Sequence, residues 1–224
     1  QHHRRSGQPD FVVEEIDVTD MKKCCWMLAA WLGLTFVACS ETKEVDEFSD
    51  NWDQRNYAYL DSVADFARTH KGENVGDWQV LRTYKQNEGG FIAGSVSSQD
   101  FVYAKIIEKG AGEESPVFTD SVAVHYRGRL IPTLSYPEGM VFDQNYYGEL
   151  NATTSQWAST TTFACKSVIE GWTTALMNMH EGDYWRLYIP EELAYGSTGS
   201  SGSVPGYSTL IFDVYLKKIY KVGR

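Results

Sequence analysis

The sequence predicts an α+β fold, a curled antiparallel β-sheet wrapped over one short α-helix and preceded by an amino-terminal helix. Three observations carry this reading. Period-two segments recur through the carboxyl-terminal half. One short helical stripe, Ile169, Trp172, Leu176 and Met179, interrupts them, and a longer stripe precedes them between residues 49 and 70. Strands with turn signals around a single helix are expected to bury one sheet face on that helix.

The first methionine is Met21, and residues 1–20 read as an upstream segment absent from the mature protein. Lys22 and Lys23 follow, then an apolar run from Cys24 through Ala38. At about fifteen residues this run is short for a hydrocarbon core of about 30 Å but suits a signal h-region. It ends in Phe36-Val37-Ala38-Cys39-Ser40, which resembles a bacterial lipobox. Residues 21–38 are thus expected to be a lipoprotein signal peptide, with Cys39 as the lipidated first residue. An uncleaved anchor and a buried helix are the competing readings. The second is disfavoured because the run is apolar on all sides and flanked by lysines. Membrane contact is expected through the lipid anchor only. Ser40 after the cysteine is, by resemblance to Gram-negative lipoproteins, compatible with the outer membrane. With Cys24 and Cys25 in the signal and Cys39 consumed by lipid, Cys165 alone remains and no internal disulfide is expected.

Residues 39–48 are polar and without apolar periodicity, as in a tether. Residues 49–98 read as a helical amino-terminal segment with a short strand. Trp52, Tyr59, Leu60, Val63, Phe66 and Ala67 recur at helical spacing, Ser49 or Asp50 can cap the start, and Gly72 follows the end. Packing on the following domain is the preferred role of this helix, over dimerisation or client holding. Residues 77–84 read as a strand, with a turn at Gly89-Gly90.

From about residue 99 the strands dominate. Val122, Val124 and Tyr126 share one face, while Ala123, His125 and Arg127 share the other, which places His125 toward solvent. Trp185, Leu187 and Ile189 alternate with polar or amphipathic neighbours up to Pro190, and Leu210, Phe212, Val214 and Leu216 form a further alternating set. Gly182 lies past the end of the short helix. On pattern alone, Trp172 is a core residue.

Composition narrows the function classes. The chain has 224 residues, a net charge of −10, 42% hydrophobic and 14% aromatic content. There is material for a packed core, and the acidic balance argues against nucleic acid or an anionic membrane surface as main partner. Of His2, His3, His70, His125 and His180, only the terminal doublet is closely spaced, and no phosphate loop or nucleophile motif is present. No metal and no cofactor are expected.

The motifs sharpen the class. Asp120 to Gly128 (Asp-Ser-Val-Ala-Val-His-Tyr-Arg-Gly), Gly139-Met140-Val141-Phe142-Asp143, Val168-Ile169-Glu170-Gly171-Trp172, Ile189 to Gly196 and Thr209 to Val214 follow one another in an order that resembles the FKBP-type peptidyl-prolyl cis/trans isomerases. The resemblance covers residues 99–220. It implies a catalytic pocket of Tyr126, Phe142, Asp143, Trp172, Tyr195 and Phe212, with Val168, Ile169 and Val204 binding substrate. It also implies that the Ile169 N–H and the Tyr195 hydroxyl hold substrate carbonyls, while Tyr126 and Asp143 form the polar edge. Proline-containing polypeptides would be the clients and macrolides the inhibitors. An aromatic pocket that desolvates the proline ring and favours the twisted amide needs no nucleophile. A non-catalytic binding module or holdase with the same fold is the alternative.

The sequence departs from that pattern at the rim. Thr161 stands where relatives carry an aromatic residue two positions before Phe163. The flap from Gly196 to Gly206 is serine-rich with a single proline. The loops Ile131–Gly139 and Gln144–Thr162 are longer than in the minimal domain. The second, with Tyr146, Tyr147 and Trp157, reads equally well as a substrate lip and as a satellite cluster.

Overall fold

The computed structural model describes residues 46–85, 97–151, 159–200 and 202–223, all within one compact unit, Glu44–Arg224. The signal segment, Cys39, the Gly89-Gly90 turn and Trp157 lie outside the described residues. The elements are α1 (Trp52–Thr69), β1 (Trp78–Arg82), β2 (Phe101–Glu108), β3 (Ser121–Arg129), β4 (Val141–Gln144), β5 (Thr161–Ala164), α2 (Glu170–Leu176), β6 (Tyr184–Ile189) and β7 (Leu210–Tyr220).

The strands form one antiparallel sheet in the order β1-β2-β6-β7-β3-β4, with β5 also paired to β3. The sheet is thus the one expected from the alternating segments. β3 pairs along its length with β7. Its other edge is shared, β5 taking Ser121 to Val124 and β4 taking Arg127 to Arg129. The Asn145 side chain fills the gap between them, accepting from Tyr126 N–H (2.8 Å) and donating to the Val124 carbonyl (2.9 Å). That keeps the backbone of β3 bonded where no strand faces it. Register shifts between Ala123 and Val124 against β7, and between Gly128 and Arg129 against β4, add local bend and twist.

One sheet face is the core. Trp172, Ala175 and Leu176 of α2 pack with Val122, Val124, Leu187, Ile189, Leu210, Val214 and Leu216, all buried. α2 approaches closely because Gly171 has no side chain: a Cβ there would lie 2.3 Å from Ile189 Cγ2.

The opposite face is covered as well, and this corrects the placement of His125. α1 lays Leu60, Ala64 and Ala67 on Trp78 and Tyr103, with Val63, Val80 and Tyr188 around them. Farther along, Tyr146 and Leu150 pack on Tyr184 and Tyr215. His125 is fully buried, its ring 6.0 Å from that of Tyr215, its register partner on β7. Alternation identifies which residues share a face. It does not say whether that face meets water, and here a loop and a helix supplied by distant segments cover it.

Asp213 lies buried on this second face, accepting from Arg129 Nη2 at 2.6 Å and from Arg186 Nε at 2.5 Å. A buried carboxylate is tolerated because both oxygens meet guanidinium donors. The start of α1 also differs from expectation. Asn51, with φ 50°, holds the cap position without a side-chain bond, and Ser49 N–H instead donates to the Asp46 carbonyl at 3.1 Å. The carboxyl end is as expected, with His70 N–H donating to the Ala67 carbonyl at 3.2 Å.

Candidate functional site

A cavity of roughly 280 Å³ opens at the carboxyl ends of β3 and the start of α2. Its wall brings together most of the residues expected from the sequence: Tyr126, Asp143, Val168, Ile169, Trp172, Tyr195 and Phe212. The first turn of α2 places Trp172 at the centre of the aromatic set. Its ring meets Tyr126 at 5.4 Å, Phe163 at 5.7 Å and Phe212 at 5.2 Å, each within 10° of perpendicular. Edge-to-face contacts of this kind direct ring edges into the neighbouring π face and hold a rigid apolar floor.

Each wall residue owes its place to a backbone feature. Tyr126 points inward because it continues the core-facing series of Val122 and Val124 on β3. Phe212 does so on β7, in register with Gly128. A Cβ on Gly128 would lie 2.6 Å from the Phe212 ring and 2.7 Å from the Phe142 ring, so glycine is required for both rings to pack there. Val168 and Ile169 form the run into α2. The Ile169 carbonyl accepts from the N–H groups of Trp172 (2.9 Å) and Thr173 (3.1 Å), while its own N–H has no acceptor among the described residues. Tyr195 follows the short turn Glu191–Leu193 and stands at the rim, partly exposed.

The polar edge is one bonded pair. The Tyr126 hydroxyl donates to Asp143 Oδ2 at 2.9 Å. Burial, and then the Asp143 carboxylate, push the Tyr126 hydroxyl up to about 12, so it stays a neutral donor across the physiological range. Burial and the same carboxylate also raise Tyr195. Cys165, the one free cysteine among the described residues, is buried, and burial followed by Asp120 pushes its thiol up to about 11. It is no nucleophile at neutral pH. What the cavity offers is an apolar bowl with hydroxyl donors on one side.

Two expected residues stand off the cavity wall. Phe142 packs behind Phe212, ring centroids 5.4 Å apart. Val204 is buried in a neighbouring shallow hollow with Phe48, Met140 and Pro205. Two wall residues went unassigned at the sequence level, Phe163 and Ser167. Phe163 pairs with Val122 and so shares the core face, a signal that needed the β3–β5 register. Thr161 pairs with Val124 on the same face but accepts from Asn145 Nδ2 at 3.0 Å and does not line the cavity. The described part of the Gln144–Thr162 loop turns away from the cavity, with Tyr146 and Leu150 in the cluster on the second sheet face and Arg127 4.6 Å above the Tyr146 ring.

Comparison with known proteins finds one family similar to the part of the chain that builds most of this site. Residues 112–217 match the FKBP-type peptidyl-prolyl cis-trans isomerases. A Trypanosoma cruzi protein named macrophage infectivity potentiator is 43% identical over 118 residues, covering 53% of this chain and 53% of the relative. A Coxiella burnetii protein named peptidyl-prolyl cis-trans isomerase Mip is 38% identical over 117 residues, covering 52% and 44%. A Legionella longbeachae protein named outer membrane protein MIP is 36% identical over 119 residues, covering 53% and 44%. The chain spans about half the length of these relatives.

Proposed function

From the premise that this chain carries an FKBP-type domain, we propose that it is a peptidyl-prolyl cis/trans isomerase acting on X-Pro bonds of exported proteins. One observation carries the proposal: an apolar aromatic cavity, floored by Trp172, with a tyrosine–carboxylate edge and, among the described residues, no activated nucleophile beside it.

The barrier to rotation, about 18–20 kcal/mol, comes from amide resonance. Rotation removes that resonance and with it the charge separation across C–N and C=O. The twisted amide is therefore less polar than either planar isomer, and an apolar site disfavours the planar ground states more than the transition state. In this reading Trp172 receives the proline ring, and Tyr126, Phe163 and Phe212 exclude water from it. Phe142 supports Phe212 from behind. The Ile169 N–H and the Tyr195 hydroxyl bind flanking carbonyls, which fixes the chain on both sides of the rotating bond. Asp143 keeps the Tyr126 hydroxyl aimed along the rim, and Val168 and Val204 add apolar contact for residues beside the proline. Macrolides that mimic the twisted amide would compete for the same bowl.

The lipobox ending at Cys39 and the name of the Legionella longbeachae relative support an extracytoplasmic site, with the lipid as the sole anchor. The holdase alternative is weakened because α1 buries Leu60, Ala64 and Ala67 on the sheet and leaves only Phe66 of its apolar stripe half-exposed. The deciding experiment is a protease-coupled X-Pro peptide assay on the full chain in mild detergent. Wild type should exceed a Trp172→Ala, Tyr195→Phe double variant by at least about a hundredfold in kcat/KM, the scale of losing several transition-state contacts. Equal rates for the two proteins would end the isomerase reading.

A further inference from the structure

The polypeptide between β6 and β7 carries Tyr195 and Val204 but has little structure of its own. Its regular pieces are three-residue turns, Glu191–Leu193 and Gly196–Thr198, and Gly196, Gly199 and Gly202 all have positive φ. Tyr207 also has a positive φ, 62°, an unfavourable conformation for a residue with a Cβ. Backbone bonds close the loop on itself, from the Tyr207 N–H to the Gly196 carbonyl at 3.1 Å and from the Ser200 N–H to the Val204 carbonyl at 2.9 Å, but they do not fix its legs against the rest of the domain.

The amino-terminal end of α1 contacts both of its legs. Tyr57 donates its hydroxyl to Glu191 Oε1 at 3.2 Å on the incoming leg. On the outgoing leg, Trp52 Nε1 donates to Ser208 Oγ at 2.9 Å, and Ser208 Oγ donates to the Pro205 carbonyl at 2.7 Å. One turn later, Asn56 Oδ1 accepts from Thr209 N–H at 2.8 Å, and Asn56 Nδ2 donates to the Trp52 carbonyl at 2.7 Å. Asn56 is fully buried. Just ahead of the helix, the Phe48 ring packs edge-on against Trp52 (5.4 Å) and lines the hollow that contains Val204 and Pro205.

Burial of apolar surface alone does not explain this arrangement. The middle and end of α1 bury Leu60, Ala64 and Ala67 on the sheet, which suffices to dock a helix. Its first turns also bury the Trp52 ring in the main core, but they add the buried Trp52 N–H and Asn56 amide and the half-buried Tyr57 hydroxyl, each bonded to one loop, where the buried pair must be matched in position or left unpaired. Those contacts cross 134 to 156 residues of chain. They also originate outside residues 112–217, the part shared with the family.

We infer that Trp52, Asn56 and Tyr57 are positioning residues for the isomerase rim: they brace the loop between β6 and β7 so that Tyr195 and Val204 meet substrate already ordered. The inference rests on the isomerase reading above. A loop ordered beforehand spares the bound complex the entropy of ordering it, so loosening it lowers kcat/KM without touching the floor.

The test uses the full chain in detergent. Trp52→Phe keeps the ring and removes the N–H, and Ser208→Ala removes the acceptor. Leu60→Ala loosens α1 away from the loop. Three quantities are read for each: kcat and KM on an X-Pro peptide, the thermal midpoint, and hydrogen exchange of the Val204, Tyr207 and Thr209 amides. Trp52→Phe and Ser208→Ala should each lower kcat/KM about fivefold, the scale of one net hydrogen bond. The double variant should be no worse than the poorer single, and the three amides should exchange faster. Leu60→Ala should lower the midpoint as much or more while kcat/KM stays within about twofold. The inference is overturned if Trp52→Phe and Ser208→Ala leave rates and exchange unchanged, or if Leu60→Ala lowers kcat/KM equally. Absence of activity in the wild type would instead remove the isomerase reading, while the exchange data would still decide whether α1 braces the loop.

Discussion

The floor and the rim of the cavity are built in different ways. The floor comes from regular elements: Tyr126 on β3, Phe163 on β5, Trp172 on α2 and Phe212 on β7, locked by sheet register and by three near-perpendicular ring contacts. The rim comes from irregular chain: Tyr195 and Val204 sit in a glycine- and serine-rich loop whose position depends on bonds from α1. A residue on a strand is placed by the whole ladder, so a single lost bond changes little. A residue on such a loop is placed by a few tertiary contacts, and each matters more. Stability should therefore be concentrated in the floor and adjustability in the rim.

The sharpest way to break this contrast is at Trp172. Trp172→Ala removes a ring buried among three others and leaves a cavity beneath them. The expected cost is about 3–5 kcal/mol of unfolding free energy. Chemical denaturation would show it as a lower midpoint, together with loss of the proposed isomerase activity in the remaining folded fraction. Tyr195→Phe, on the rim, should cost activity with little change in midpoint. If the two substitutions gave the same ratio of stability loss to activity loss, floor and rim would not be distinct regions.

A smaller effect is expected at the polar edge, where the two regions meet. Tyr126→Phe keeps the ring and deletes the bond to Asp143, so kcat/KM should fall by about three- to tenfold, the scale of one net hydrogen bond. The pH dependence gives an independent readout. The hydroxyl of Tyr126 is raised to about 12 in the folded protein against an ordinary value of 10.0. The folded state thus holds this proton more tightly than the unfolded chain. Stability from this group is complete below pH 10 and declines as pH rises toward 12. Tyr59 and Tyr103 titrate in the same window, so wild type should lose stability there and Tyr126→Phe should lose less. Identical slopes in wild type and variant would show that the edge is not coupled to folding.

The same division explains what was legible in the sequence. Period-two alternation marked β3, β6 and β7, and the 169–179 stripe marked the helix that carries Trp172, because both periods are local. Pattern alone made Trp172 a core residue; its role in the floor, and those of Tyr126 and Phe212, came from the resemblance of their motifs to the isomerase family. Phe163 was missed because its role depends on pairing with Val122, a register no local pattern contains. His125 was misplaced because the cover on its face comes from residues far along the chain. The brace on the rim was hidden for the same reason. Trp52 fits a helical apolar stripe equally well whether or not its N–H meets Ser208, and a buried Asn56 resembles any exposed helical asparagine until its partners are known. Polar contacts between distant segments leave little periodicity to read.

The smallest effect should come from Glu47, which tests whether the chain ahead of α1 belongs with the rim. Its carboxylate accepts from the Thr133 hydroxyl at 2.7 Å and from the Ser135 N–H at 3.1 Å, tying this segment to the Ile131–Gly139 loop. The hydrogen bond from Thr133 is the main reason its carboxyl lies below the ordinary value of 4.5. A lowered carboxyl favours the folded contact above the ordinary value, and the advantage is lost as pH falls through the lowered one. Glu47 is only partly buried, so global stability should barely respond. The local readout is the Ser135 amide: its protection from exchange, corrected for intrinsic rates, should weaken as pH drops below 4.5 in wild type. In Glu47→Gln it should be weaker throughout and lose this pH dependence. Because Phe48 joins this segment to Val204, a Glu47→Gln effect reaching the Val204 amide would mark residues 46–57 as one bracing unit. An effect confined to Ser135 would limit the brace to α1 itself.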